Sequence, residues 1–305
     1  MILCAGDALI DMLPRHTAQG EDAFVPHPGG AVFNTAIALG RLGAETGFFS
    51  PLSDDLFGER LRAALTESGV DHVYSPVVAR PCTLAFVKLT EGQAHYTFYD
   101  TGTALRDMDV KELPELPARV KVLFLGGISL VGGACATTLE TLLEQAEDRI
   151  VMLDPNIRPG FISDEAAYRA RLDRMLARAD IVKLSDEDLS WLMGCGELDT
   201  QIARLLERGP KIVVVTEGSA GARAVNPMGS VHVSAPRVPV VDTVGAGDTF
   251  NAGFLASLMR NPALLRADLD LLDATTLSEA LSFGARAAAV TVSRAGANPP
   301  WAHEL

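Results

Sequence analysis

The sequence predicts an α/β protein with a mostly parallel central sheet, helices on both of its faces and a small β-rich flap. Three observations carry that expectation. From residue 120 onward, short Val- and Leu-rich runs alternate with stretches whose apolar residues recur at helical spacing, the pattern of strand and helix units laid side by side. Glycine-rich turns at residues 29–30 and 245–247 each lead into such a helix. Between residues 73 and 99 the pattern changes to alternation with no intervening helix, which places this stretch, with residues 15–28, outside the parallel core.

In chain order, residues 1–5 and 8–13 read as one buried strand that leaves through Pro14, with Asp7 and Asp11 at its end or just beyond. Residues 15–28 are polar and aperiodic and suggest an exposed loop or a small strand pair. A helix starts near Gly29-Gly30, carries Asn34 in its first turns and ends at Gly43. Residues 46–52 are a strand candidate, and 54–68 a helix stopped by Gly69. The alternating runs at 83–89 and 95–99, joined by a Glu91-Gly92-Gln93 turn, read as a β-hairpin. Strands at 122–125, 150–153, 181–184 and 212–216 then alternate with helices at 135–146, 165–177, 185–193 and 200–208. A loop at 240–247 feeds a helix marked by Phe250, Phe254, Leu255, Leu258 and Met259, and an Ala-rich helix covers 277–292. No repeat or linker interrupts the chain, so a single domain over 1–305 is expected, with flap strands inserted at about 12–28 and 73–101.

Composition narrows the function classes. With 305 residues, 48% hydrophobic and 21% charged, the chain is long enough to bury a sizeable core and is ordinary for a soluble enzyme. A net charge of −13 opposes a broad nucleic-acid or anionic-membrane surface, so any anionic ligand must be held by a local site. No apolar run approaches the ~20 residues that span a bilayer, and the N-terminus lacks the basic region of a signal peptide. Cys4, Cys82, Cys135 and Cys195 are scattered without a CxxC pair, which points to reduced thiols and a cytoplasmic setting. The histidines show no metal-ligand spacing, and a zinc site is not expected.

The chemistry concentrates in residues 240–254. The N–H groups of Gly245, Ala246, Gly247 and Asp248 would open a helix without intrahelical partners, and the helix dipole adds positive charge, which suits an anion such as phosphate. Asp248 would repel that anion, so it needs another purpose, and accepting a proton from an attacking hydroxyl is one. The plainer alternative is a crowded turn followed by a dipole-stabilising acid; the pairing of Asp242 with Asp248 and the second glycine turn weigh against it. Three strand-end motifs join this one. Arg158, in Asp154-Pro155-Asn156-Ile157-Arg158, pairs either with transferring phosphate or with a nearby surface acid. Gly218 and Gly221, after Thr216, either admit a nucleotide or form an ordinary turn. In residues 183–188, Ser185 and the following acids cap a helix, with a water-mediated Mg²⁺ contact as the alternative. Neither a P-loop nor a GxGxxG dinucleotide fingerprint occurs.

Residues 242–250 resemble the C-terminal signature of the PfkB family of carbohydrate kinases, the ribokinase and fructokinase group, and residues 29–36 with 39–43 are similar to its N-terminal signature. The likeness covers nearly the whole chain in the expected order. It implies a ribokinase-like fold with a β-sheet lid over the sugar, and ATP-dependent phosphorylation of a sugar hydroxyl. On this resemblance Asp248 is the catalytic base, and the amides of Gly245, Ala246 and Gly247 form an anion hole for the γ-phosphate. Asp11, Gly29, Gly30, Asn34 and the lid residue Phe98 match sugar-binding positions, and Arg158 a phosphate- or substrate-contacting one. Lys183, Thr216, Gly218, Gly221 and Gly247 match the nucleotide side. Asp188 stands where the family usually has Glu for a water-bridged Mg²⁺, with Glu187 beside it. Asp242 and Val244, with carbonyls around 293–296, match a monovalent-cation site suited to K⁺.

Fructose is the first expected substrate, because residues 6–14 are similar to fructokinases. Asp100 also stands where 2-keto-3-deoxygluconate kinases tend to carry an arginine, and an acid there should repel a sugar acid. Ribose, a nucleoside or another hexose are the alternatives within the family. Outside it, a non-catalytic sensor has no need of a base beside the anion hole, and a nicotinamide dehydrogenase lacks its phosphate fingerprint. The exposed lid edge and the family together suggest a homodimer.

Overall fold

Alternation within the strands decides the layering. A computed structural model describes residues 1–90 and 93–305; the expected turn at Glu91 and Gly92 lies outside the described residues. In β1 (Ile2–Gly6), Ile2 and Cys4 enter one hydrophobic core while Leu3 and Ala5 enter another, as expected of a strand covered on both faces. The chain then leaves this sheet for an antiparallel pair, β2 (Leu9–His16) and β3 (Asp22–Gly29). It returns through α1 (Ala31–Arg41) to β4 (Thr46–Phe49), parallel to β1. Next come β5 (Leu52–Ser53), α2 (Leu56–Glu67) and β6 (Val77–Val78). The Asp55 carboxylate caps α2 by accepting from the amides of Phe57 and Gly58. The pair β7 (Leu84–Thr90) and β8 (Gln93–Tyr99) extends the small sheet.

Strand and helix units fill the second half: β9 (Val122–Gly126), α3 (Gly133–Glu144), β10 (Ile150–Asp154), α4 (Glu165–Arg178), β11 (Ile181–Ser185), α5 (Asp186–Met193), α6 (Leu198–Leu206) and β12 (Ile212–Thr216). A hairpin, β13 (Ala222–Asn226) and β14 (Gly229–Val233), precedes α7 (Ala246–Leu258) and α8 (Ala274–Val292). The main sheet runs β14-β13-β12-β11-β10-β9-β1-β4, parallel from β12 to β4. One core holds α1, α2, α7 and α8 against it; the other holds α3 to α6. The mostly parallel sheet with helices on both faces is the fold the sequence predicts.

The small sheet runs β3-β2-β7-β8. Asp11, His27, Ala85 and Phe98 are register partners across it and so share one face. On the sheet's other face Phe86 meets Phe24 and Tyr99 edge to face, at ring separations of 4.9 and 5.4 Å. Among the described residues no helix is long and apolar enough to cross a membrane.

Three local expectations need correction. Residues 1–13 are two strands in two sheets, because the chain turns at Asp7, whose carboxylate accepts from the amides that open α1. Residues 46–52 break at Ser50-Pro51, where proline has no N–H for the ladder. The edge hairpin at 222–233 was not anticipated: its half-exposed residues have a turn-like composition rather than an apolar run.

Candidate active site

The start of α7 is built around Gly245. Its φ of 76° is left-handed, and a side chain there would bring a Cβ to 2.7 Å from that of Ala297, so the turn accepts only glycine. No side chain caps the helix. Of the four amides expected to be free, that of Ala246 is not: it closes the turn by donating to the Thr243 carbonyl at 3.3 Å. The amides of Gly245, Gly247 and Asp248 have no partner among the described residues, which leaves a positive helix end suited to an anion.

Asp248 lies in the first turn of α7 and is 8% exposed. Its Oδ2 accepts from Asn34 Nδ2 at 2.9 Å, so the two glycine-rich stretches meet at one carboxylate. Burial pushes its pKa up to about 7; the Asn34 bond and Lys183 oppose the rise, while Asp154 and Asp7 add to it. A carboxyl poised there can accept a proton at neutral pH.

Asn34 owes its place to Asp7 and Gly30. Gly30, the residue before α1, has φ 109° and no capping side chain. Asp7 supplies the cap from a distance: its carboxylate accepts from Ala31 N at 3.1 Å and Val32 N at 3.0 Å, and its carbonyl from Phe33 N. A side chain at Gly29 would overlap the Asp11 carboxylate, so that carboxylate lies over the glycine pair. Burial and then the neighbouring Asp7 raise the Asp11 pKa to about 6.

A buried polar cluster lies behind Gly247. Lys183 Nζ pairs with Asp154 Oδ2 at 3.1 Å, with both side chains almost wholly buried, and Asn251 Nδ2 donates to the same oxygen at 2.7 Å. A Cβ on Gly247 would sit 3.1 Å from Lys183 Nζ, which puts the ammonium at the helix N-terminus. Asp188 is buried next to this cluster. It accepts from Ile157 N at 3.1 Å and forms a reciprocal capping box with Ser185, so the capping reading of this motif holds. Its pKa is raised by burial and by Asp154. Glu187 faces solvent.

The remaining predicted residues are more spread out. Arg158 is exposed, donates to the Ile157 carbonyl and pairs with no acid among the described residues. Phe98 packs edge to face on Phe161 at 4.6 Å, which ties the small sheet to the segment after Arg158. Thr216 Oγ1 donates to the Leu184 carbonyl at 3.4 Å, and Gly218 faces open space. At Gly221 a side chain would overlap the Val233 carbonyl, so packing against β14 already requires the glycine. Asp242 joins two loops, accepting from Val244 N at 3.0 Å and Gly296 N at 2.9 Å. Asp100 does not stand alone, since Arg106 lies 3.8 Å from it, which blunts its repulsion of a sugar acid.

Sequence reasoning passed over Asp7, Asp154 and Asn251 as site residues. Asn251 stands three residues beyond Asp248 on the same helix, a spacing that puts both on one face and could have flagged it. Asp154 ends a central strand, where ligands of such sheets bind.

The site has known counterparts. A profile of the pfkB family carbohydrate kinases matches residues 1–304. The chain is 51% identical over 278 residues to a fructokinase of Rhizobium leguminosarum bv. trifolii, covering 91% of this chain and 85% of that protein. In three dimensions it is similar to the fructokinase of Xylella fastidiosa with bound ATP, with a TM-score of 0.88 and 29% identity over 97% of this chain and 93% of that one. It is also similar to the fructokinase of Vibrio cholerae O395 with fructose, ADP and calcium bound, with a TM-score of 0.82 and 26% identity over 97% of this chain and 94% of that one. This chain belongs to the pfkB family of carbohydrate kinases.

Proposed function

We propose that this chain is a fructokinase that transfers the γ-phosphate of ATP to a hydroxyl of fructose. The observation that carries the reading is the 2.9 Å bond from Asn34 to Asp248. It supports the reading because it joins the Gly29-Gly30 segment, proposed to face the sugar, to the α7 helix end, proposed to face the phosphate, at a carboxyl whose pKa burial pushes up to about 7. Asp248 takes up the proton of the attacking hydroxyl. The free amides of Gly247 and Asp248, with the Lys183 ammonium, face the phosphoryl group and offset the charge that develops on it. Asp11 and the Asn34 carbonyl oxygen accept from sugar hydroxyls beside Gly29 and Gly30. Phe98 and the small sheet act as a lid that excludes water. Arg158 stands at the rim, free to pair with phosphate or substrate, and Thr216 and Gly218 line the nucleotide side.

The metal fit is specific. Among the described residues no group of three or more His, Cys, Asp or Glu side chains could hold a metal ion. Mg²⁺ needs no such cluster, because it binds through one or two carboxylates, waters and substrate phosphates. Asp188, already accepting two backbone N–H groups, would hold it through water, and bound Mg²⁺ supplies charge neutralisation at the phosphates. Asp242, Val244 and the carbonyls of the 293–296 loop would hold K⁺ against the α7 turn.

The chain is proposed to act as one kinase domain and, with its scattered free cysteines and need for ATP, in the cytoplasm. The half-exposed Phe24 and the 62% exposed Tyr99 on the lid's outer face support a homodimer through that face. The functional test is a coupled ADP-release assay over fructose, ribose, glucose, 2-keto-3-deoxygluconate and adenosine. The highest kcat/KM is expected for fructose. ATP turnover on the keto acid alone would overturn the substrate, and none on any sugar would overturn the activity.

A further inference from the structure

The C-terminal segment beyond α8 joins two parts of the molecule that the proposed reaction must hold in register. At one end it touches the anion-binding turn. Gly296 N donates to Asp242 Oδ2 at 2.9 Å, Asp242 Oδ1 accepts from Val244 N at 3.0 Å, and Ala297 packs against Gly245. The amides of Val241 and Asp242 also donate to the Val292 carbonyl. At the other end the segment is gripped by Arg41, the last residue of α1. Its Nη1 donates to Asn298 Oδ1 and to the Pro299 carbonyl, both at 2.9 Å, and its guanidinium lies 5.2 Å from the centre of the Trp301 ring. Its Nε donates to Ser68 Oγ at 3.3 Å, which fixes the head group from behind. Asn298 N closes the path by donating to the Gly296 carbonyl at 2.8 Å.

We infer that Arg41 is a positioning residue for phosphoryl transfer: through the strap of residues 296–301 it sets where the Gly245 turn stands relative to α1. The inference rests on the kinase reading above. Arg41 touches no reacting group. It sits at the far end of the helix whose first turn presents Asn34 to Asp248, so one helix fixes the base directly and the anion-binding turn through the strap. The guanidinium suits this task, because a planar group can donate in its plane while stacking on an aromatic face. Loss of the grip frees the strap and lets the turn drift, and misplacement of about 1 Å is enough to slow an oriented transfer severely.

The test compares Arg41→Ala, Trp301→Ala and Arg41→Lys with the wild type. Arg41→Ala should lower kcat by roughly 10- to 100-fold with the KM for fructose unchanged. Trp301→Ala should act in the same direction. Arg41→Lys keeps a donor for Asn298 and Pro299 and should recover part of the loss. Hydrogen exchange without nucleotide gives an independent readout: in Arg41→Ala the hydrogen-bonded amides of Asp242, Val244 and Ala246 should exchange faster, along with those of Gly296 and Asn298. Faster exchange confined to 296–305, or an unchanged kcat, overturns the inference. So does a loss of activity that merely tracks the fall in melting temperature. Wild-type turnover on fructose is measured first; its absence counts against the kinase reading and leaves the exchange experiment to judge the strap.

Discussion

Replacing Asp248 by asparagine separates stability from turnover. The carboxyl's pKa in the folded protein is about 7, against an ordinary value of 3.8. Because the folded value is the higher one, its favourable contribution is complete below about pH 4 and is lost as pH rises through about 7. A difference of about three units at about 1.4 kcal/mol each means that the fold loses ~4 kcal/mol at pH 8, where it must carry the charge, and ~2 kcal/mol at pH 5, where it holds the carboxyl neutral while the unfolded chain ionises it. Asparagine is uncharged and keeps an oxygen to accept from Asn34. The variant should therefore be more stable than the wild type, by up to ~4 kcal/mol at pH 8, which at ~2 °C per kcal/mol is a rise of about 8 °C in melting temperature. Turnover should fall ~10²- to 10⁴-fold with substrate binding retained, and wild-type kcat/KM should rise with pH through an apparent pKa near 7. Urea unfolding and differential scanning calorimetry at both pH values, beside the ADP-release assay, measure all of this. A variant less stable than the wild type at pH 8, a stability gap that narrows as pH rises, or retained turnover would refute the reasoning.

Other substitutions probe the surroundings of this carboxyl. Gly245→Ala forces a side chain into a left-handed turn and against Ala297; a loss of ~1–3 kcal/mol and of ATP binding is expected, read by thermal melting and titration calorimetry. Lys183→Met strands the buried Asp154 without its cation and should cost ~3–5 kcal/mol; adding Asp154→Asn to that background should restore part of the melting temperature, and no recovery would show that the pair is not the cause. Glu187→Ala should leave kcat and Mg²⁺ dependence unchanged. Asp188→Ala should raise the Mg²⁺ concentration needed for half-maximal rate and lose ~1–2 kcal/mol of stability with its capping box.

What the sequence disclosed follows from the range of the interactions involved. The Val-rich strands and the helices after residue 120 are written in local periodicity, and the glycines at 30 and 245 mark turns that few other residues could make. Asp248 was legible because its sign conflicts with an anion-binding turn. The capping task of Asp7 was not, because its partners lie 24 and 25 residues away and no local pattern announces them. Asp154 was passed over in favour of Arg158 for a similar reason: charge in a motif is visible, whereas burial against Lys183 and Asn251 is a property of three separate elements. The hairpin at 222–233 was hidden because an edge strand need not be apolar. The packing demand on Gly221 is not legible in the sequence, because the backbone that crowds it belongs to a strand with no apolar signature.

The bond between Asn34 and Asp248 spans 214 positions of the chain. One partner is synthesised 214 residues before the other, and the buried setting that raises the carboxyl's pKa is assembled only when distant parts of the chain have packed. An N-terminal fragment lacks this carboxyl, and a C-terminal fragment holds it without its Asn34 partner. On the proposed mechanism, catalytic competence therefore arrives only when α1 and α7 have docked, and a chain in which they have not docked has no tuned base with which to spend ATP.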